Sequence, residues 1–300
     1  MDRAKKILKW VGIAFGGLVV VLGVGVGVAS CMASSADAVT YETPDHAFDV
    51  PSLSDPDRAA EAERLYMARG CGECHGADGT GRVLVDAPPF MVAPPNITGV
   101  ARAMEPTALH RLIRRGIRAD GTSVFFMPAH EYQRMPDEEL GLIIAHARSL
   151  PQSDTQQPPN ELRLLGQVLD TLGVFDTPLR PASMIDQSAD FDPASPDELG
   201  EYLAMACRGC HGPRLSGGPI PGAPEDQLGR PANLTQHSTG LEGWTEEDFS
   251  NALRNGVRPD GEELNPDQMP SRVYRFMSDE EVSALWAFLQ TVDPQPYGNR

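Results

Sequence analysis

One five-residue pattern occurs twice in this 300-residue chain, as Cys71-Gly-Glu-Cys74-His75 and Cys207-Arg-Gly-Cys210-His211. Each is C-x-x-C-H, the pattern of a c-type haem attachment site. The chemistry requires that order. Two thiols two residues apart can add to the two vinyl groups of one haem, and the adjoining His then offers its imidazole to the iron. Two other uses of such cysteines compete. Zinc bound by Cys2His from one motif lacks a fourth ligand unless a distant His joins. A redox dithiol of the thioredoxin type needs a βαβ context, and neither motif has one. The pattern therefore points to two covalently bound haem c groups, with Cys71, Cys74, Cys207 and Cys210 as attachment residues and His75 and His211 as proximal iron ligands. Cys31 is the one cysteine left over.

The match between the two regions runs well beyond the motifs. Sliding the sequence by 136 residues superposes the motifs and places Tyr66 over Tyr202. Downstream, Pro95-Asn96-Ile97-Thr98 answers Ala232-Asn233-Leu234-Thr235. Arg115-Gly116-Ile117-Arg118 answers Asn255-Gly256-Val257-Arg258, and Met127-Pro128 answers Met269-Pro270. Asp137-Glu138-Glu139-Leu140 answers Asp279-Glu280-Glu281-Val282, by which point the offset has grown to 142. Self-similarity of this kind marks a duplicated unit. The expected organisation is a signal anchor or transmembrane segment at 1–36, a linker at 37–54, a first haem domain at 55–150, a linker with one helix at 151–193, and a second haem domain at 194–300.

The fold class expected is all-α. Each copy reads as three helices: about 57–69 and 196–206 before the motifs, 105–115 and 245–255 in the middle, and 136–150 and 278–292 at the end. Ser278-x-x-Glu281 forms a capping box, and Met277 with Val282 can close a hydrophobic staple around it. Leu285, Trp286 and Leu289 then continue an apolar stripe at helical spacing. No run with strand periodicity and useful length is present. Between the copies, the stretch over 161–172 reads as one apolar helix, either packed as a structured linker between the domains or presented to a partner.

A haem iron with one His takes a second axial ligand or keeps an open face, and Met raises its potential. Met127 and Met269 occupy matching loops before the last helix and are the expected axial partners of His75 and His211. Met135 and Met277 also match, but they stand at the helix entrance where a staple residue belongs. Met91 and Met104 lack a repeat partner and read as packing. His46, His110, His130, His146 and His237 lack one too and read as surface or loop residues, with His130 the one rival to Met127. A proximal His usually donates its second ring N–H to a carbonyl. Pro88 and Pro224, each 13 residues after its His, are the expected sources. Asn96 and Asn233 with Thr98 and Thr235, and likewise Trp244, Arg118 and Arg258, are candidates for the haem propionates, with turn and cap chemistry as their competing use.

The N-terminus fixes the compartment. Val11 to Ala36 holds no charged residue and follows Lys5, Lys6 and Lys9. About 20 apolar residues span a bilayer, and the positive flank stays cytoplasmic. Three fates are open: an uncleaved anchor, lipidation at Cys31 after cleavage before it, or cleavage after Ala36. Glycines at Gly12, Gly16, Gly23 and Gly27 read as a small-residue span or as a helix-packing face.

Charge then separates two unlike parts. One Arg and three Lys against one Asp give the first nine residues +3, so a whole-chain charge of −17 leaves −20 on the rest. An acidic body of that size excludes nucleic acid as a partner, because phosphates need Lys and Arg. It calls for a redox partner with a basic docking surface. Aromatic residues are only 6%, as suits domains whose centres are filled by haem.

These motifs resemble the class I c-type cytochrome domains of di-haem cytochromes and of the cytochrome subunits of periplasmic dehydrogenases. The second copy carries the resemblance best, with Gly243-Trp244-Thr245-Glu246-Glu247-Asp248-Phe249 and Met269-Pro270. The resemblance implies small all-α domains wrapped on haem and His/Met ligation by His75 with Met127 and His211 with Met269. It also implies covalent attachment on the periplasmic side of the bacterial cytoplasmic membrane. The function it implies is that of an electron carrier rather than an enzyme. Such a carrier passes single electrons from a quinol-oxidising complex or dehydrogenase to an acceptor such as a terminal oxidase. Alternatives are a subunit of a dehydrogenase or respiratory complex, and a di-haem peroxidase.

Overall fold

The structure, a computed structural model, describes residues 2–175, 179–221 and 229–300. It opens with α1 (Asp2–Asp37), a single helix of 36 residues. The first copy follows as α2 (Pro56–Ala68), α3 (Cys71–His75), α4 (Val100–Ala103), α5 (Pro106–Arg115) and α6 (Asp137–Ser149). After α7 (Leu164–Thr171), the second copy comprises α8 (Leu199–His211), α9 (Glu246–Asn255), α10 (Ser271–Tyr274) and α11 (Asp279–Thr291).

Local chemistry explains where these helices begin and end. Asp55 accepts from the Asp57 N–H and Pro56 takes the first turn of α2, where a missing N–H costs nothing. Ser278 and Glu281 close the capping box expected at α11, and Met277 and Val282 beside it are both buried. A second box, Thr245 with Asp248, starts α9. The α5 and α9 helices stop at Gly116 and Gly256, whose φ of 67° and 70° lies in the left-handed region that glycine enters freely.

In each copy the first and last helices cross, α2 on α6 and α8 on α11. At the second crossing, a methyl group on Gly200 would run into the Ala284 carbonyl, so only glycine lets the backbones approach this closely. Tyr66, Leu140, Leu285 and Leu289, with Tyr202 and Met277, belong to one continuous core that draws on both copies.

Two features differ from the sequence expectation. A three-stranded antiparallel sheet is present: β1 (Val85–Asp86), β2 (Phe90–Val92) and β3 (Glu161–Leu162), in that order. Strands of two or three residues are too short to show a period. The helix between the copies, α7, is not packed between the haem domains. It lies against α1, where the Ser30 hydroxyl donates to the Gln167 side-chain oxygen at 2.6 Å.

Candidate haem sites

Each copy encloses a cleft at its attachment motif. The first has a volume of about 210 Å3 and is lined by Cys71, Cys74 and His75, by Met127, and by an apolar wall that includes Ile113, Phe126 and Ile143. The second, about 510 Å3, is lined by Cys210, His211, Trp244, Arg258 and Met269. Cys207 is buried and is not among the residues lining it.

The two histidines are held alike. His75 Nδ1 lies 3.0 Å from the Pro95 carbonyl, and His211 Nδ1 lies 2.7 Å from the Ala232 carbonyl. A ring that donates from Nδ1 leaves the Nε2 lone pair for a metal. Burial pulls both imidazoles below their usual range, against the carbonyl bond that pushes them up, so the neutral ligand form prevails. The acceptor is therefore Pro95, not Pro88, which sits in the turn between β1 and β2. Pro224 lies outside the described residues, and in the second copy Ala232 supplies the carbonyl. Chain distance from the His misled here, since the chain must fold back before a carbonyl can meet the ring.

Asn96 and Asn233 turn out to be engaged with the chain itself. Each side-chain oxygen accepts from the N–H and hydroxyl of the Thr two residues on, Thr98 or Thr235. Each amide donates to the segment after the last helix: Asn96 to the Ser153 carbonyl at 2.8 Å, Asn233 to the Gln295 carbonyl at 2.7 Å. This is turn chemistry that clamps the loop carrying the His acceptor. Trp244 and Arg258 do reach the second cleft. Arg118 is not among the residues lining the first.

Met127 and Met269 are on the same clefts as their partner histidines. Met127 follows Phe126, a non-glycine residue with φ of 63°, whose N–H is tied to the Leu179 carbonyl at 3.0 Å. A left-handed conformation at a bulky residue persists only where its surroundings impose it. Met135 is fully buried and also reaches the first cleft, whereas Met277 does not line the second.

Both clefts thus fit a covalent haem: paired thiols, a neutral imidazole braced by a carbonyl, a thioether, and space between apolar walls. They also adjoin one another. Cys74 and Cys207 line a common cavity of about 200 Å3, together with Tyr132, Tyr274 and Glu131. Burial raises the Glu131 carboxyl to about 8. Along this seam, Arg69 bonds both Glu139 (2.6 Å) and Glu281, and Arg64 reaches Glu281 at 2.7 Å. Tyr202 donates to Glu139, and Arg272 reaches across to Glu73 at 2.8 Å. Sequence reasoning missed this network, because its members lie up to 217 residues apart.

His110 is not a surface residue. It is buried, its ring stacks on His46 at 4.4 Å, and Arg114 bonds both it and Asp137. Burial, then the Arg114 charge, holds His110 down to about 3. His46, His110 and Asp137 bring three candidate ligand atoms within 4.8 Å. The Arg114 guanidinium already uses the His110 lone pair and the Asp137 carboxylate, which makes the cluster a buried polar network rather than a metal centre.

The comparisons agree with this geometry. Residues 198–293 match the family described as Cytochrome c, and residues 57–146 match Cytochrome C oxidase, cbb3-type, subunit III. A diheme cytochrome c-type protein of Cereibacter sphaeroides is 26% identical over 81% of this chain and 90% of its own length. The cytochrome c subunit of alcohol dehydrogenase (quinone) from Gluconacetobacter polyoxogenes is 25% identical over 81% of this chain. The fructose dehydrogenase cytochrome subunit of Gluconobacter japonicus is 39% identical over 31% of it. The chain spans 58% and 20% of the lengths of those two dehydrogenase subunits. Two domains of cytochrome type in tandem, each with its own attachment motif and cleft, make this chain a di-haem c-type cytochrome.

Proposed function

We propose that the chain is a membrane-tethered electron carrier, moving single electrons from a respiratory donor to an acceptor such as a terminal oxidase. The donor is a quinol-oxidising complex or a dehydrogenase. The observation that carries this reading is the cavity shared by Cys74 and Cys207, because exchange between two sites needs them adjacent and rigid. The bound haem supplies the one-electron iron chemistry. The chain's residues do the rest. His75 with Met127, and His211 with Met269, would hold the two irons, each pair lining one cleft. Pro95 and Ala232 fix the imidazoles, and apolar side chains line much of each cleft. With Met127 and Met269 on the clefts, each iron would have a thioether within reach, which speaks against the open face that a peroxidase requires.

The apolar α1 stays attached as an anchor and holds the haem domains on the periplasmic side of the bacterial cytoplasmic membrane. The −20 charge of the chain beyond its first nine residues suits a partner with a basic docking surface. The likeness to an alcohol dehydrogenase subunit over 81% of the chain supports a second reading, a permanent subunit of a dehydrogenase complex. Rapid mixing of the full chain in vesicles with a quinol-oxidising complex tests the first. Reduction that slows as salt rises is expected. Absence of reduction by any donor, with turnover of peroxide instead, would sink it. Co-purification of a dehydrogenase in stoichiometric amount would select the subunit reading.

A further inference from the structure

The N-terminal anchor sets a depth scale. Lys9 is the last charge before the apolar run, and about 20 residues cross a bilayer, so the far boundary falls close to Ala29. Up to that point α1 is exposed almost throughout. Its first buried residues are Ala29 and Ala33, where it leaves lipid and meets protein. What it meets there is α7. Ser30 bonds Gln167, and Arg180 donates to Asp37 at 2.6 Å and to Asp170 of α7 at 2.7 Å. The α7 helix is therefore held level with the outer edge of the bilayer.

The inner side of α7 is fixed to the first haem domain. Gly166 is buried so tightly that a methyl group would strike the Pro89 carbonyl, and the preceding Arg163 donates to the Ala87 carbonyl at 2.7 Å. The outer side shows Leu164, Leu165 and Leu172, which are 54%, 48% and 70% exposed. Three open leucines in nine residues are unusual on a body this acidic, and the one acid in α7, Asp170, is paired with Arg180.

We propose that α7 is a second membrane contact, seated in the headgroup layer on the periplasmic side with Leu164, Leu165 and Leu172 in lipid. This inference rests on the reading of α1 as a retained anchor. A short helix with an apolar face gains free energy by lying in the interface plane, and α1 brings it there without further cost in search. Together the two helices give the first haem domain one fixed pose on the membrane, where α1 alone would leave it free to swivel.

The test uses the full chain in phosphatidylcholine–phosphatidylglycerol vesicles with the haems kept reduced. In a Cys31→Ser background, nitroxide labels go at Leu165→Cys, Leu172→Cys and, as a control on the distal domain, Glu247→Cys. Oxygen collisions relative to a water-soluble nickel chelate should be several-fold higher at the two α7 sites than at the control. Water-like collisions at Leu165 and Leu172 in protein that resists carbonate extraction would overturn the inference and leave the anchor standing. Labels that become shielded only in native membranes would point to a protein partner and also overturn it. Release by carbonate would instead remove the anchor reading, and this inference with it.

Discussion

The two haem domains share a plan and differ in how they carry it out. Both brace the proximal His on the carbonyl just before an Asn-x-Thr turn. Both clamp that turn to the segment after the last helix. What varies lies elsewhere. In the first copy Gly70, with φ of 77°, ends the helix before the motif, and Cys71–His75 forms its own turn. In the second, Ala206 stands at that point and α8 runs unbroken into His211. Past the motif, Gly79 and Leu215 both take a left-handed conformation, at φ of 72° and 58°. The first copy uses the residue suited to it and the second forces a buried leucine into it. The first cleft is walled by aliphatic and aromatic side chains, while Arg258, Asn265 and Gln268 line the second. Holding the His tolerates little variation; the environment of the far side of the cleft varies freely.

The largest expected effect tests the side where the copies differ. Met127→Ala should abolish the near-infrared sulfur-to-iron band of the first haem, and Met269→Ala that of the second, each leaving the other intact. Survival of the first band in Met127→Ala would transfer the role to Met135, which lines the same cleft, and would break the parallel between the copies.

A second experiment addresses the seam. Arg69→Ala takes the cation from Glu139, leaving it the Tyr202 hydroxyl, and leaves Arg64 as the cation on Glu281, in a site where the Arg69 and Glu281 side chains are each 7% exposed. Removing one partner from a buried charge network costs about 3–5 kcal/mol. Asp279→Asn, at the exposed Arg254–Asp279 pair, should cost less than about 1 kcal/mol. Denaturant unfolding of both variants checks the contrast, and equal costs would mean that the seam is no stronger than surface decoration.

The smallest effect concerns Glu131, which lies against the attachment region of the second copy. Its carboxyl is raised from 4.5 to about 8 by burial. Between those values the unfolded chain has lost the proton and the folded one keeps it, so stability falls as pH rises through this window and levels off above it. Solvent still reaches the group, with 19% of the side chain exposed, which moderates the slope. Glu131→Gln should flatten the profile between pH 5 and 8 in unfolding measurements. An unchanged slope would assign the proton to another group.

Most helices were legible because their signals are local. Asp55-Pro56, the Ser278 box and the paired glycines after the middle helices act within one turn. The C-x-x-C-H motifs were legible because attachment chemistry demands adjacency. Pro95 and Ala232 were visible only in part. Their segments stood out as repeats, yet nothing in the spacing said that a backbone carbonyl rather than the neighbouring Asn side chain faced the site. The Arg69 seam and the His46–His110–Asp137 cluster left no sequence trace, since each joins residues far apart in the chain through tertiary packing alone.

Glu281 has a consequence for how such a chain can be taken apart. One carboxylate caps a helix of the second domain, accepting from the Ser278 N–H at 2.7 Å, and also receives Arg64 and Arg69 from the first. Separating the halves would take a carboxylate partner from Arg64 and Arg69 in one and leave Glu281 in the other without its cations. The duplication has thus lost its modularity. Neither half can be transplanted or expressed as an independent cassette without redesign of its inner face, and the pair should melt as a single unit.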